Sequence, residues 1–448
     1  MKDIRIKSVV AYIALLPMFF LFLSCSGNDY IATIPKNSKA VLSLDVQKLS
    51  NGKMLDKMAS LLKVDDVNDC GLELSEKIYA FETSEGNIGF SAKVADEGRL
   101  KALFDALSKE GTCQKVSVYK DFNFTVVKDA WVAGFSSEAL VVMGPALPSQ
   151  QQELRRQVAK CLGQDEEQGI QGSPMFSRLD SISSPVAIVA QAAILPEKFA
   201  VPFTICAPKD ADASQIMIAA ELDTSDNGLL TITGETFSFN KDIDAKLKSS
   251  SAVFRPIEGT YVDRIPANSV AGAFMNVDGE QFITLLHANK TFQALLAGMN
   301  MAVDMDNIIK SFDGDVAICL PDIKGKANVC MAAELKGKSF LDDIGYWKQS
   351  CPAGSKITDW GKDAYCYTNG EMSYYFGVTP DMQFYSGSTA DGARGLLARS
   401  SFRLPARLQD KIKGRRLAVV LNIGALIGDY DFVSDMLGGV DTVLYVMK

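Results

Sequence analysis

The pattern Tyr-x-x-x-Ile-Pro-x-Asn-Ser occurs twice in the chain, at Tyr30–Ser38 and at Tyr261–Ser269. Each occurrence runs into an apolar strand-like segment, VLSLDV at 41–46 and GAFMNV at 272–277. An amphipathic helix pattern follows each, over roughly 53–62 and 279–297. The parallel then continues. KIYAFET (77–83) and GNIGFSAKV (86–94) match DVAICLPDI (315–323) and ANVCMAAEL (327–335), and helix patterns follow at 96–109 and 338–349. Cys113 and Cys351 fall just after those helices, and a strongly apolar strand comes late in each half, 185–194 and 417–426. Self-similarity at this scale restricts the fold to two related units.

Inside the repeated element, proline presets φ for a turn, and Asn or Ser closes it through side-chain hydrogen bonds to the backbone. The element therefore reads as a staple that leads into a strand. Strands come in meanders with helices between the groups, which predicts an α+β class of two related repeats, each a mostly antiparallel sheet with packed helices. QIMIAAELD and LLTITGETFSF flank Asn227-Gly228, a hairpin signal. The expected organisation is a leader at 1–24, a tether at 25–29, repeat domains at 30–247 and 261–448, and a Ser-, Pro- and Gly-containing linker at 248–260.

The leader begins with Lys2, Arg5 and Lys7 and becomes apolar from Val9 to Leu23. That run suits a signal peptide and falls short of the ~20 residues of a spanning helix. It ends in Leu21-Phe22-Leu23-Ser24-Cys25, which resembles the bacterial lipobox, although Phe22 stands where leucine is usual. The resemblance implies acylation of Cys25 and membrane attachment through it; the alternative is an ordinary secretory leader with an incidental cysteine. Each buried methylene contributes ~0.8 kcal/mol, so two or three acyl chains would hold the protein permanently.

The lipobox-like end, the Ile-Pro-x-Asn-Ser element opening each half, and the strand after it ending in Asp45 or Asn276 together resemble a family of uncharacterised lipoproteins of Bacteroidetes, classed as a domain of unknown function. The resemblance covers most of residues 25–448. It implies an exported protein, lipid-anchored to the cell envelope, and carries over no catalytic residue.

Direct signs of chemistry are few. The net charge of −8 argues against nucleic acid as a partner. With one histidine among 448 residues, the usual zinc sites are not expected, and no metal or cofactor is predicted. His287 lies at the edge of an apolar helix face, and no GxSxG accompanies it. Asp304, Asp306, Asp313 and Asp315 lack the order of an EF-hand loop, and Asp313-Gly-Asp315 reads as a turn before a strand.

Trp347, Trp360, Tyr367, Tyr375 and Tyr385 crowd one stretch, where they either form a ligand-facing platform or fill the core. Ser181 and Thr442 lie in short Asp-Ser/Thr-apolar sequences that resemble an O-glycosylation sequon. A two-residue turn at Lys324-Gly325 would set Cys319 directly opposite Cys330, within reach of a disulfide. The pairing of Cys70, Cys113, Cys161, Cys206, Cys351 and Cys366 is left open.

The expectation is a non-catalytic binding or interaction module, attached to the membrane at Cys25, whose partner is a glycan or another envelope protein. The alternative is a carbohydrate-active hydrolase using paired carboxylates.

Overall fold

The computed structural model describes residues 29–49, 66–195, 203–208, 211–223, 228–289, 303–322, 328–427 and 440–448, with Ala59 and Gln293. The leader, Cys25, most of the helix expected at 53–62, the end of the helix expected at 279–297, and the turns at Asn227 and Lys324-Gly325 lie outside the described residues. The chain divides into two compact units, Met1–Ser181 and Ile182–Lys448.

Among the described residues the N-terminal unit has seven strands: β1 Ala40–Leu44, β2 Ile78–Glu82, β3 Ile88–Lys93, β4 Ser117–Tyr119, β5 Phe122–Val127, β6 Trp131–Phe135 and β7 Ala139–Gly144. They pair in the order β1-β2-β3-β7-β6-β5-β4, antiparallel throughout. Lys120-Asp121 and Lys128-Asp129 take positive φ at the β4–β5 and β5–β6 turns, where the twist of a tight hairpin requires it. Helix Glu97–Lys109 starts at an Asp96 cap and lays Leu100, Phe104 and Leu107 on Ala133 and Phe135. Helix Gln151–Leu162 packs on the other face, as strand alternation dictates. Gly134 permits this approach, because a Cβ there would lie 2.7 Å from both Phe124 and Val158.

The C-terminal unit adds β8 Val186–Gln191, β9 Met217–Asp223, β10 Leu229–Phe237, β11 Phe254–Arg255, β12 Ala271–Asp278, β13 Phe312–Leu320, β14 Cys330–Leu335, β15 Lys356–Gly361, β16 Ala364–Thr368, β17 Ser373–Val378, β18 Gln383–Gly387, β19 Leu417–Asn422 and β20 Thr442–Met447. The order is β8-β9-β10-β20-β19-β12-β13-β14-β18-β17-β16-β15. Only β10–β20 is parallel among these pairings. Within it, β12-β13-β14-β18-β17-β16-β15 follows the same succession as β1 to β4 in the first unit. Phe282, Ile283, Leu285 and Leu286 of helix Gly279–Ala288 join the main core with Phe312, Val316, Trp347 and Phe376. The protein is thus a mixed α and β structure with mostly antiparallel sheet.

The unit boundary differs from the expected one. Residues 186–237 belong to the second unit because β10 bonds along β20, near the C-terminus. The expected linker at 248–260 is not a free connector either. It finishes helix Lys241–Ser251, continues as β11 beside β12, and buries Phe254 and Ile257. The Ser- and Pro-containing composition there reflects a helix end and a turn.

Candidate functional site

A cleft lies in each unit, and the two differ in chemistry. In the C-terminal unit a cleft of about 790 Å³ is bordered by Glu258, Asp313, Glu334, Asp381 and Gln383. Asp315 lies behind it, 2% exposed, inside β13 and not in a turn as its sequence context suggests. Just before it, the β13–β14 register shifts, and Gly314 takes φ 140° against the Glu334 side chain. Asp315 accepts the backbone N–H groups of Glu258 at 3.0 Å, Gly259 at 2.6 Å and Thr260 at 2.8 Å. It also accepts Asn276 Nδ2 at 2.8 Å.

Glu334 accepts the Asp315 backbone N–H at 2.7 Å and the Thr260 hydroxyl at 3.0 Å. Arg255 donates to Asn276 Oδ1 and to Val277 O, both at 2.7 Å, and pairs with Asp313 at 2.9 Å. Asp381 is held below the usual carboxylate range, first by the Thr379 hydroxyl, and accepts Gln383 Nε2 at 2.7 Å. Asp315 and Glu334 hold the 258–260 segment that leads to Tyr261, while Asp313 is paired with Arg255 and Asp381 with Gln383.

The N-terminal unit holds a cleft of about 820 Å³ between the Pro35-Lys36-Asn37 turn, Thr83–Glu85 and helix Gln151–Leu162. Thr83, Met143 and Cys161 form a buried floor; Lys36, Glu85, Arg156, Lys160 and Gln168 stand at an exposed rim. Several lining groups are already paired. Asn37 Nδ2 donates to Ser84 Oγ at 2.8 Å, Asn87 Nδ2 to Gln157 Oε1 at 3.1 Å, and Arg156 pairs with Glu153 at 3.0 Å. Gln164 Oε1 is buried without a hydrogen-bond partner among the described residues, and the Lys160 charge acts on Glu85.

The ionisation states at this cleft are plain. The Ser84 hydroxyl, then the Glu85 backbone N–H, hold Glu85 below the ordinary carboxylate range, so it is ionised at neutral pH. Burial pushes the Cys161 thiol up to about 12, so it stays protonated and is no nucleophile. Sequence reasoning missed this cleft. Its polar residues come from segments with no shared motif, and the Ile-Pro-x-Asn-Ser element, read as a staple, supplies Pro35, Lys36 and Asn37 to its wall.

The residues singled out by sequence are scattered. The five aromatics do not form one platform. Trp347 and Tyr385 are buried, at 5% and 6% exposure. Trp347 and half-buried Tyr367 pack with Phe376 and Phe384 on one face of the sheet. Trp360, Tyr375 and Tyr385 cluster on the other, with the Arg394 guanidinium 4.1 Å over the Trp360 ring. Alternation along β16–β18 divides them, since Tyr375 and Phe376 are consecutive residues.

Cys319 and Cys330 face one another in the β13–β14 register. Both are free thiols, in place of the disulfide considered for them. Cys319 Sγ instead donates to Ser269 Oγ at 3.3 Å, and Cys330 Sγ lies 3.9 Å from Asn328 Oδ1. Of the two sequon-like positions, Ser181 is exposed at the end of helix Pro174–Asp180 and hydrogen-bonds Arg178. Thr442 is half-buried between β10 and β19, which leaves a sugar little room there. His287 Nε2 lies 2.8 Å from Asp306 Oδ2. Among the described residues no cluster of three or more His, Cys, Asp or Glu side chains could hold a metal ion, and no helix is long and apolar enough to cross a membrane.

Comparison with protein families matches residues 36–395 to a family described as Domain of unknown function (DUF4836), and the chain belongs to it. Comparison with curated proteins finds no match. Among solved structures the chain is similar to TP0453 in three crystal forms. Form III is 7% identical, over 82% of this chain and 96% of that one, with a TM-score of 0.25. Form I is 8% identical over 80% and 91%, at 0.23; form IV is 9% identical over 42% and 70%, at 0.25. At such scores no argument about function follows from the likeness.

Proposed function

We propose that the chain is an exported cell-envelope protein, lipid-anchored through Cys25, built from two copies of one α+β repeat, and acting as a binding module whose site is the N-terminal cleft. The leader that ends at Cys25 supports the anchor. The recurrence of one strand succession in both units supports the repeat. The observation that carries the binding role is the cleft itself, which is large enough for a small ligand and is bordered by the charged side chains of Lys36, Glu85, Glu153, Arg156 and Lys160. Binding is favoured over hydrolysis because the acids of the other cleft are held by internal donors, and because Glu85 is held ionised where a glycosidase acid would need a raised pKa.

Two measurements test this reading. A Cys25→Ala variant should leave the membrane fraction; retention there would sink the anchor. The purified protein should bind ligand saturably without turning it over. Sustained release of reducing sugar from an oligosaccharide, abolished by a single carboxylate substitution, would favour the hydrolase instead.

A further inference from the structure

One row of facing residues runs across the C-terminal unit's sheet as Gly272, Cys319, Cys330 and Gly387, on β12, β13, β14 and β18. Resting on the reading of the chain as exported, we propose that Cys319 and Cys330 are a modification site: the dithiol of the structure is the reduced form of a disulfide that the chain acquires by exchange with an oxidising protein disulfide.

The register carries this pairing. Directly opposite residues point to the same side of a sheet, and their Cα atoms lie about 4.5–5.5 Å apart, inside the range that a disulfide spans. Both thiols accordingly belong to one buried cluster, with Ala317, Ala332 and Leu396. By contrast Cys113 faces Val127, and Cys366 faces Thr358 and Tyr375.

The glycines at the ends of the row let its neighbours close in. A Cβ on Gly272 would lie 2.9 Å from Ile265, and one on Gly387 2.6 Å from the Ala393 backbone N. Cys319 and Cys330 are left 1% and 3% exposed. Burial, and then Cys319 beside it, push the Cys330 thiol up to about 12, and burial raises Cys319 as well. Thiols so sealed and protonated do not react in the finished fold, so the exchange precedes closure of the sheet. β13 and β14 lie close together in the chain, and a local pairing forms before distant segments pack over it. One cysteine, as thiolate, attacks the oxidant's disulfide, which forms a mixed disulfide and releases one oxidant thiolate. The second cysteine's thiolate then attacks the first cysteine's sulfur and releases the other. The protons of the two cysteines pass to the departing thiolates, so two thiols are oxidised and one disulfide is reduced.

The test is peptide mapping of the full chain recovered from membranes and denatured in excess N-ethylmaleimide without reductant. The peptides holding Cys319 and Cys330 should appear as one linked species that dithiothreitol separates, and Cys330→Ala should leave Cys319 alkylated. In urea, dithiothreitol should lower the unfolding midpoint of the wild type more than that of Cys330→Ala. Lipid on Cys25, read in the same map, reports export independently. Linkage of either thiol to a different cysteine would overturn the pairing. Both thiols alkylated on a lipidated chain would overturn the disulfide and leave the anchor standing. Both alkylated on a chain without lipid would bring down the export reading. Refolding that chain with oxidised glutathione then decides the pair by itself: linkage supports it, and failure to link overturns it as well.

Discussion

The two units handle the same place in their sheets with opposite charge. In the N-terminal unit Lys77 directly precedes β2 and Lys93 closes β3, and both reach carboxylates near solvent: Lys93 lies 3.3 Å from Glu76 and Lys77 lies 3.9 Å from Asp180. In the C-terminal unit the residue before Val316 is Asp315, which is buried, and its neighbour on β14 is half-buried Glu334, which accepts the Asp315 backbone N–H. A lysine carries its charge on a long stem and can leave a sheet without help. A short buried aspartate cannot, so Asp315 has to be surrounded by donors, and these come from the backbone of 258–260 and from Asn276.

The tyrosines of the repeated element follow suit. The Tyr30 hydroxyl donates to Lys77 O at 3.0 Å, whereas the Tyr261 hydroxyl is buried without a hydrogen-bond partner. Polar chemistry in the second unit thus serves to fix a loop. In the first unit it stands open in a cleft.

Asp315→Ala should break this contrast most severely. Three backbone N–H groups would lose their acceptor, and urea unfolding of the second unit should shift by about 3 kcal/mol. A shift below about 1 kcal/mol would mean that water replaces the carboxylate and that the nest holds nothing together. Glu334→Ala, which removes one hydroxyl bond and one backbone bond, should cost about 2 kcal/mol in the same measurement.

Next comes an alkaline effect confined to the first unit. Burial raises the Cys161 thiol to about 12 from an ordinary value of 9.0. Above pH 9 the unfolded chain loses this proton while the folded chain keeps it. The contribution is therefore intact below pH 9 and is lost as pH rises toward 12. Cys161→Ala should flatten the alkaline decline of stability by about 1 kcal/mol at pH 10, read from melts across pH; identical slopes for the two proteins would refute the burial. The smallest effect is expected at Lys93→Ala. Its half-exposed pair with Glu76 contributes under about 1 kcal/mol, and a loss as large as that at Asp315 would erase the contrast between the units.

Much of the local structure was legible. β2, β3 and the helix after them sit where alternation and helical spacing put them. The facing of Cys319 and Cys330 followed from counting outward from a short turn. The candidate site was not legible. Gln164 and Lys160 are ordinary helix-end residues until the fold sets them beside Pro35, Asn37 and Thr83. The aromatic stretch misled because a run rich in rings gives no information on which face each ring takes once helices cover both sides.

By itself, the sequence determined the repeated element and most of the described strands and helices, because these depend on residues a few positions apart. The tertiary structure alone decided the unit boundary, the inward turn of Asp315 and the N-terminal cleft. β10 pairs with β20 across a long stretch of chain. The cleft draws its lining from Pro35 to Gln168. No local periodicity records contacts of that separation, since only the closing of the sheets brings the residues together.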